Sequence, residues 1–314
     1  MMGECAAMTK LPVLYKRKIP GWSLITAITA VLLLTYSIQI AESIRVGIKI
    51  SVISVIPSVF PFFILADYLS SQISTSPKSS QLNKIFSIPR GSEGALICGL
   101  ICGFPCGIKY ARRLYDGKVI TKTELERLIG LVNNPSFAFV ISGVGMGMLN
   151  SLKDGIILYL SVILSVLLIS RIFYKSVKEF PEPTHIIGQN FNLVESIRNA
   201  GFSSLTVSSY IVFFSAILGI IQNMIKSSIL CAIAASFLEI GNAATLITSL
   251  KAESSSAFIL YGFCLGFSGF SVHLQAFEVL PGNISKKKYL TMKLLQGLFC
   301  GIIAFFLKQV SSYN

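Results

Sequence analysis

Residues 94–116 constrain this chain more than any other stretch. They are largely apolar, yet the run GLICGFPCGIKY (99–110) carries Gly99, Gly103, Pro105 and Gly107, with Lys109 and Tyr110 at its end. Proline removes a backbone donor and clashes one turn back, while glycine opens φ space. The stretch is therefore expected as two half-helices meeting at a break, each too short to cross a hydrocarbon core of about 30 Å. Broken backbone at membrane depth is tolerated only against protein or a wet cavity. A re-entrant hairpin buried among other helices follows.

Composition agrees. The chain has 314 residues, 53% hydrophobic and 13% charged, with mean hydropathy +0.71. That is the profile of an all-α polytopic membrane protein. The net charge of +13 does not point to nucleic acid, because the basic residues sit at the ends of apolar runs. Spans are expected at about 22–41, 47–69, 128–150, 155–174, 205–224, 256–278 and 288–308, with a second hairpin at 227–250. The first span follows Lys10, Lys16, Arg17 and Lys18 without a small-residue cleavage site, so it is expected as an anchor with a cytoplasmic N-terminus. With seven spans and two hairpins, only Arg45, Lys49, Lys153, Lys226, Lys251 and Lys308 of the 27 Lys and Arg fall outside. That asymmetry fits the positive-inside rule.

The chain also contains a repeat. ESIRVGIKISVISVIPSVFPFFIL (42–65) and ESIRNAGFSSLTVSSYIVFFSAIL (195–218) open on the same four residues. A broken apolar stretch follows each, GFPCG (103–107) and EIGNA (239–243). Next comes a span with an irregular polar part, LVNNPSF (131–137) and LGFSGFSVHLQ (265–275), and then a plain span. The expected division is an N-terminal segment and anchor (1–41), a first repeat (42–174), a linker (175–194), a second, inverted repeat (195–308) and a tail (309–314). Inverted repeats with discontinuous helices place a solute site near the midplane, where the breaks face each other. The expected site residues are Gly103, Phe104, Pro105, Gly107, Lys109, Asn133, Asn134, Ser136, Glu239, Gly241, Asn242, Ser268, Ser271, His273 and Gln275.

Each polar group there has two readings. Lys109, at the start of the second half-helix, could add to its positive end as an anion cradle, or snorkel with Arg112 and Arg113 to the cytoplasmic face. Glu239 could pair with Lys109, bind a coupling cation, take up a proton, or cap backbone groups freed at the break. Asn133, Asn134 and Ser136, like Ser268, Ser271, His273 and Gln275, can satisfy freed backbone or hydrogen-bond a solute. Cys98, Cys102 and Cys106 share one helical face, which reads better as close packing than as a soft-metal stripe. GVGMG (143–147) lies inside a span and reads as helix packing. With His185 as the second histidine, in a loop, no metal site is expected. Neither a nucleophile–base arrangement nor a Walker loop is present, so no enzyme activity and no cofactor are expected. Thr121 with Glu124 is a capping box.

Taken in order, PSVFPFFIL (57–65), GLICGFPCGIKYARRLYDGKV (99–119), LVNNPSFAFVISGVGMGML (131–149), FLEIGNA (237–243) and GFSGFSVHLQ (266–275) resemble the YlbJ family of sporulation integral membrane proteins. That family lies within the nucleoside-recognition Gate domain group. The resemblance covers about residues 42–308. It implies a transporter-like fold related to concentrative nucleoside carriers, a place in the forespore or mother-cell membrane, and movement of dipicolinate toward the spore. The expected partners are the bilayer and a small anionic, aromatic solute. A coupling ion (H+ or Na+) and a homo-oligomer stay open. The alternatives are a nucleoside transporter and a spore-envelope assembly protein that kept the fold without transporting.

Overall fold

The computed structural model describes residues 21–71, 81–174, 191–250 and 255–312. The N-terminal basic segment, most of the linker with His185, Lys251 and the last two tail residues lie outside the described residues. Helix α1 (Gly21–Thr35) belongs to a unit of its own, and residues 39–314 form a second unit. Among the described residues of that second unit, the elements are helices in this order. The long α2 (Ser37–Ser71) leads to the short α3 (Gln81–Phe86), a broken pair α4 (Glu93–Ile101) and α5 (Cys106–Asp116), and α6 (Lys122–Val132). The π-helical α7 (Phe139–Met148) and the straight α8 (Leu152–Tyr174) close the first half. The second half follows with long α9 (Leu193–Met224), broken pair α10 (Ser228–Leu238) and α11 (Ile240–Ser249), interrupted α12 (Ser255–Phe267) and α13 (Gly269–Val279), and straight α14 (Lys286–Ser312).

Among the described residues, five helical runs are long and apolar enough to cross a membrane: α2, α8, α9, α12 with α13, and α14. One of the seven expected spans is corrected. The 22–41 stretch is divided at Tyr36, and residues 37–41 belong to α2, so the boundary drawn at residue 42 falls inside a helix. The 128–150 stretch is interrupted at LVNNPSF, where the sequence leads one to expect an irregular polar part, because Pro135 removes a backbone donor and holds Asn134 out of the helical region. It consists of the end of α6, an unwound Asn133–Ser136 segment and α7.

Local chemistry explains the boundaries. The capping box opens α6 as expected: Thr121 N donates to Glu124 Oε2 at 2.6 Å and Glu124 N to Thr121 Oγ1 at 3.3 Å. Asn192 caps α9 through the amides of Val194 and Glu195. Within α2 a π turn at Ser51–Val55 immediately precedes Ile56 and Pro57, where the missing proline N–H relaxes the ladder.

Helices α2 and α9 lie antiparallel along their length. Gly47 sits against Ser215 and Gly219 against Ser43, while at the other end Ser196 Oγ donates to Asp67 Oδ2 at 3.2 Å. Helices α12 and α14 pack through facing small residues. A Cβ on Gly262 would lie 2.7 Å from Gly301 Cα, and one on Gly266 would lie 2.9 Å from Gly297 Cα. Such spacing lets helix backbones approach where apolar burial alone gives little association in lipid. Gly145, from the GVGMG run, likewise meets Gly155 of α8, as expected for packing. Two poles result. At one, Asp67 pairs with Arg113 at 3.2 Å, Arg112 reaches Val279 O and Ser285 N reaches Glu126. At the other, Lys308 pairs with Asp154 at 2.6 Å and Lys153 donates to Ser311 O.

Candidate functional site

Four interruptions of the helices meet in the interior. The first is Cys102–Pro105. Gly103 there takes φ +79°, and a Cβ on it would come within 2.5 Å of Ser136 N, so conformation and space both require glycine. The N–H groups of Cys102 and Gly103 both donate to Cys98 O, closing α4, and the Phe104–Pro105 bond is cis. The second is Asn133–Ser136. Asn134 Nδ2 donates to Leu131 O at 2.6 Å, and Ser136 Oγ accepts from Phe139 N at 3.1 Å, so the break's own side chains cap both helix ends.

The third interruption is a single extended residue, Glu239 (φ −154°, ψ 127°). Its carboxylate accepts from Gly241 N at 2.8 Å, Asn242 N at 2.7 Å and Asn242 Nδ2 at 2.8 Å. It caps α11 and, among the described residues, pairs with no cation. Asn242 also donates to Ser215 Oγ of α9 at 2.8 Å. The fourth is Ser268, at φ +75°, with Gly269 at φ +79°. A Cβ on Gly269 would sit 3.0 Å from Leu238 O and 3.1 Å from Glu239 N. The breaks thus pack in pairs, first against second and third against fourth.

Between the pairs lies a cavity of about 20 Å³, lined by Phe104, Ser136, Glu239, Ser271 and Gln275, one or two residues from each interrupted element, with apolar walls from α2 and α9. Gln275 is 3% exposed. Its Nε2 donates to Ser271 Oγ at 3.4 Å and its Oε1 has no protein partner. The cavity is mostly apolar, with Ser136, Glu239, Ser271 and Gln275 as its polar groups and one buried acceptor to spare.

The other expected residues fall around it. Gly107, with Gly99, lets the α4–α5 hairpin approach Val132 O. Gly241 abuts Ile50. Lys109 does not reach Glu239. Its Nζ donates to Ser203 Oγ at 2.7 Å, and it lines an adjacent cavity with Pro105, Gln275 and Glu278. The Lys109–Glu239 ion pair considered from sequence is therefore not made: Lys109 turns toward α9, while Glu239 is held by the amides of α11. Cys98, Cys102 and Cys106 are buried.

One cluster went unnoticed in the sequence. Three residues of α14, Tyr289, Lys293 and Gln296, reach both interrupted spans. Lys293, 0% exposed, donates to Asn133 O and to Gln296 Oε1, both at 2.7 Å. Gln296 Nε2 donates to Asn134 Oδ1 at 2.8 Å. Asn133 Nδ2 donates to the Tyr289 hydroxyl, which lies 3.0 Å from His273 Nδ1. The available signal was spacing: residues at i, i+4 and i+7 share a helix face, and a lysine within an apolar run is costly unless paired.

Comparison with known proteins agrees with the motif resemblance. The chain is 24% identical over 313 aligned positions to the sporulation integral membrane protein YlbJ of Bacillus subtilis (strain 168), covering 85% of this chain and 77% of that one. The chain is similar to YlbJ over most of its length. The alignment to YlbJ, together with the membrane-length helices, supports a multipass integral membrane protein. No family model matches, and no solved structure matches.

Proposed function

We propose that this chain is a membrane transporter acting in endospore formation, and that the cavity at the four breaks is its solute site. The observation carrying this reading is the convergence of Phe104, Ser136, Glu239, Ser271 and Gln275 on one pocket. A chain serving only as a scaffold has no need to bring four costly interruptions and an unsatisfied amide oxygen together. Inversion of the two halves is supported by the antiparallel course of α2 and α9, whose ESIR starts lie at opposite poles. The charge pattern supports a cytoplasmic N-terminus, with the Asp67–Arg113 pole inside. The two broken pairs then act as re-entrant hairpins opening to opposite faces.

Resemblance to YlbJ makes dipicolinate the leading solute. A cavity of about 20 Å³ holds about one water, so this conformation is closed, and an aromatic dianion is admitted only when the halves part along α2 and α9. Lys109, in the adjacent cavity, supplies positive charge on the path from the inner pole. The test is counterflow of labelled dipicolinate into proteoliposomes, with nucleosides as competitors. Saturable uptake, unaffected by nucleosides, is expected. Uptake suppressed by nucleosides would favour the nucleoside reading, and no uptake of either would favour an assembly protein.

A further inference from the structure

Lys293 is the one lysine buried among the described residues, and it does not line the cavity at the breaks. It makes no ion pair among the described residues. The titratable groups around it are Tyr289 and Cys300 on α14 and His273 across from Tyr289, none of them a carboxylate. Its two acceptors are instead neutral oxygens: the main-chain carbonyl of Asn133, at the unwound point of the first interrupted span, and the amide oxygen of Gln296. Neutral oxygens of this kind, one of them a carbonyl released by helix unwinding, are the type of ligand that a hard monovalent cation takes. Gln296 is fixed in turn by Asn134 of the same break. Asn133 Oδ1, buried beside this cluster, has no protein partner.

We infer that the Lys293 ammonium occupies the position of a bound cation at the Asn133–Ser136 break, so that this break holds its shape without sodium. The group is tethered to α14, which keeps it at the break and ties the break of the first half to a helix of the second. On the transport reading, which this consequence rests on, the solute movement is not sodium-driven through this break. The structural statement itself is independent of transport.

Thermal melting of the purified full chain tests it in sodium, potassium and choline chlorides at equal ionic strength. The wild type is expected to melt at the same temperature in all three. A rise specific to sodium would overturn the inference. Lys293→Met, which keeps the stem and removes the donors, is expected to melt several degrees lower, and a wild-type melting temperature in that variant would also overturn it. Lys293→Ala leaves room for a free ion, and its melting temperature is expected to recover on adding sodium or methylammonium but not choline. Equal response to all three cations would count against a cation position. If neither variant folds, the wild-type comparison still decides. Failed dipicolinate uptake alongside these melting results would sink the transport reading and leave this one standing.

Discussion

Gly103 and Glu239 hold the two hairpin breaks in different ways. Gly103 is fixed by its own left-handed backbone and by the closeness of Ser136. Gly103→Ala is expected to destabilise by about 1–3 kcal/mol from backbone strain alone, with more from the clash, read as a lower melting temperature and an equal or greater loss of uptake. Glu239 is fixed by what it caps. Glu239→Ala removes three accepted hydrogen bonds and is expected to cost about 1–2 kcal/mol as a lost cap. Glu239→Gln keeps one oxygen for the amides and is expected to retain more of the melting temperature; an equal loss in both variants would show that the charge, not the cap, matters. Residue types told where these breaks lie, because glycine and proline act locally. They did not tell which partner each polar group chooses. Asn133 was read as a group for solute or backbone, and its carbonyl in fact meets Lys293, a residue 160 positions away.

At the level of elements, the long helices were legible from hydropathy alone, whereas continuity was not. The repeat's first span begins at Ser37 rather than near residue 47, although the unwinding within 128–150 was marked in the sequence by Pro135 and its asparagines. Packing between elements was even less legible. Gly262, Gly266, Gly297 and Gly301 form the close contact of α12 with α14, yet their separation in sequence hides the pairing. Gly266→Leu is expected to separate these helices and lower the melting temperature more than Gly282→Leu, whose glycine has open space around it. Equal tolerance of both would mean that the α12–α14 contact carries no stability.

For the whole molecule, the poles give a direct check on topology. Residues that the charge count assigned to one side do lie together: Arg113 with Asp67 and Ser196 at one pole, Lys153, Asp154 and Lys308 at the other. Which pole faces the cytoplasm rests on the positive-inside rule. Impermeant thiol reagents are expected to label Lys153→Cys on intact cells and to label Lys287→Cys only after permeabilisation. Labelling of Lys287→Cys from outside would reverse the orientation, and labelling of both would break the two-pole scheme. The decisive measurement is dipicolinate binding to the purified protein, wild type against Gln275→Leu, at matched melting temperature. If the cavity at the breaks is the solute site, with the Gln275 Nε2 amide released from its long bond to Ser271 to donate to a solute carboxylate, wild type binds and Gln275→Leu loses about tenfold or more in affinity, the worth of a hydrogen bond to a charged ligand. Unchanged binding by a well-folded Gln275→Leu protein would contradict it.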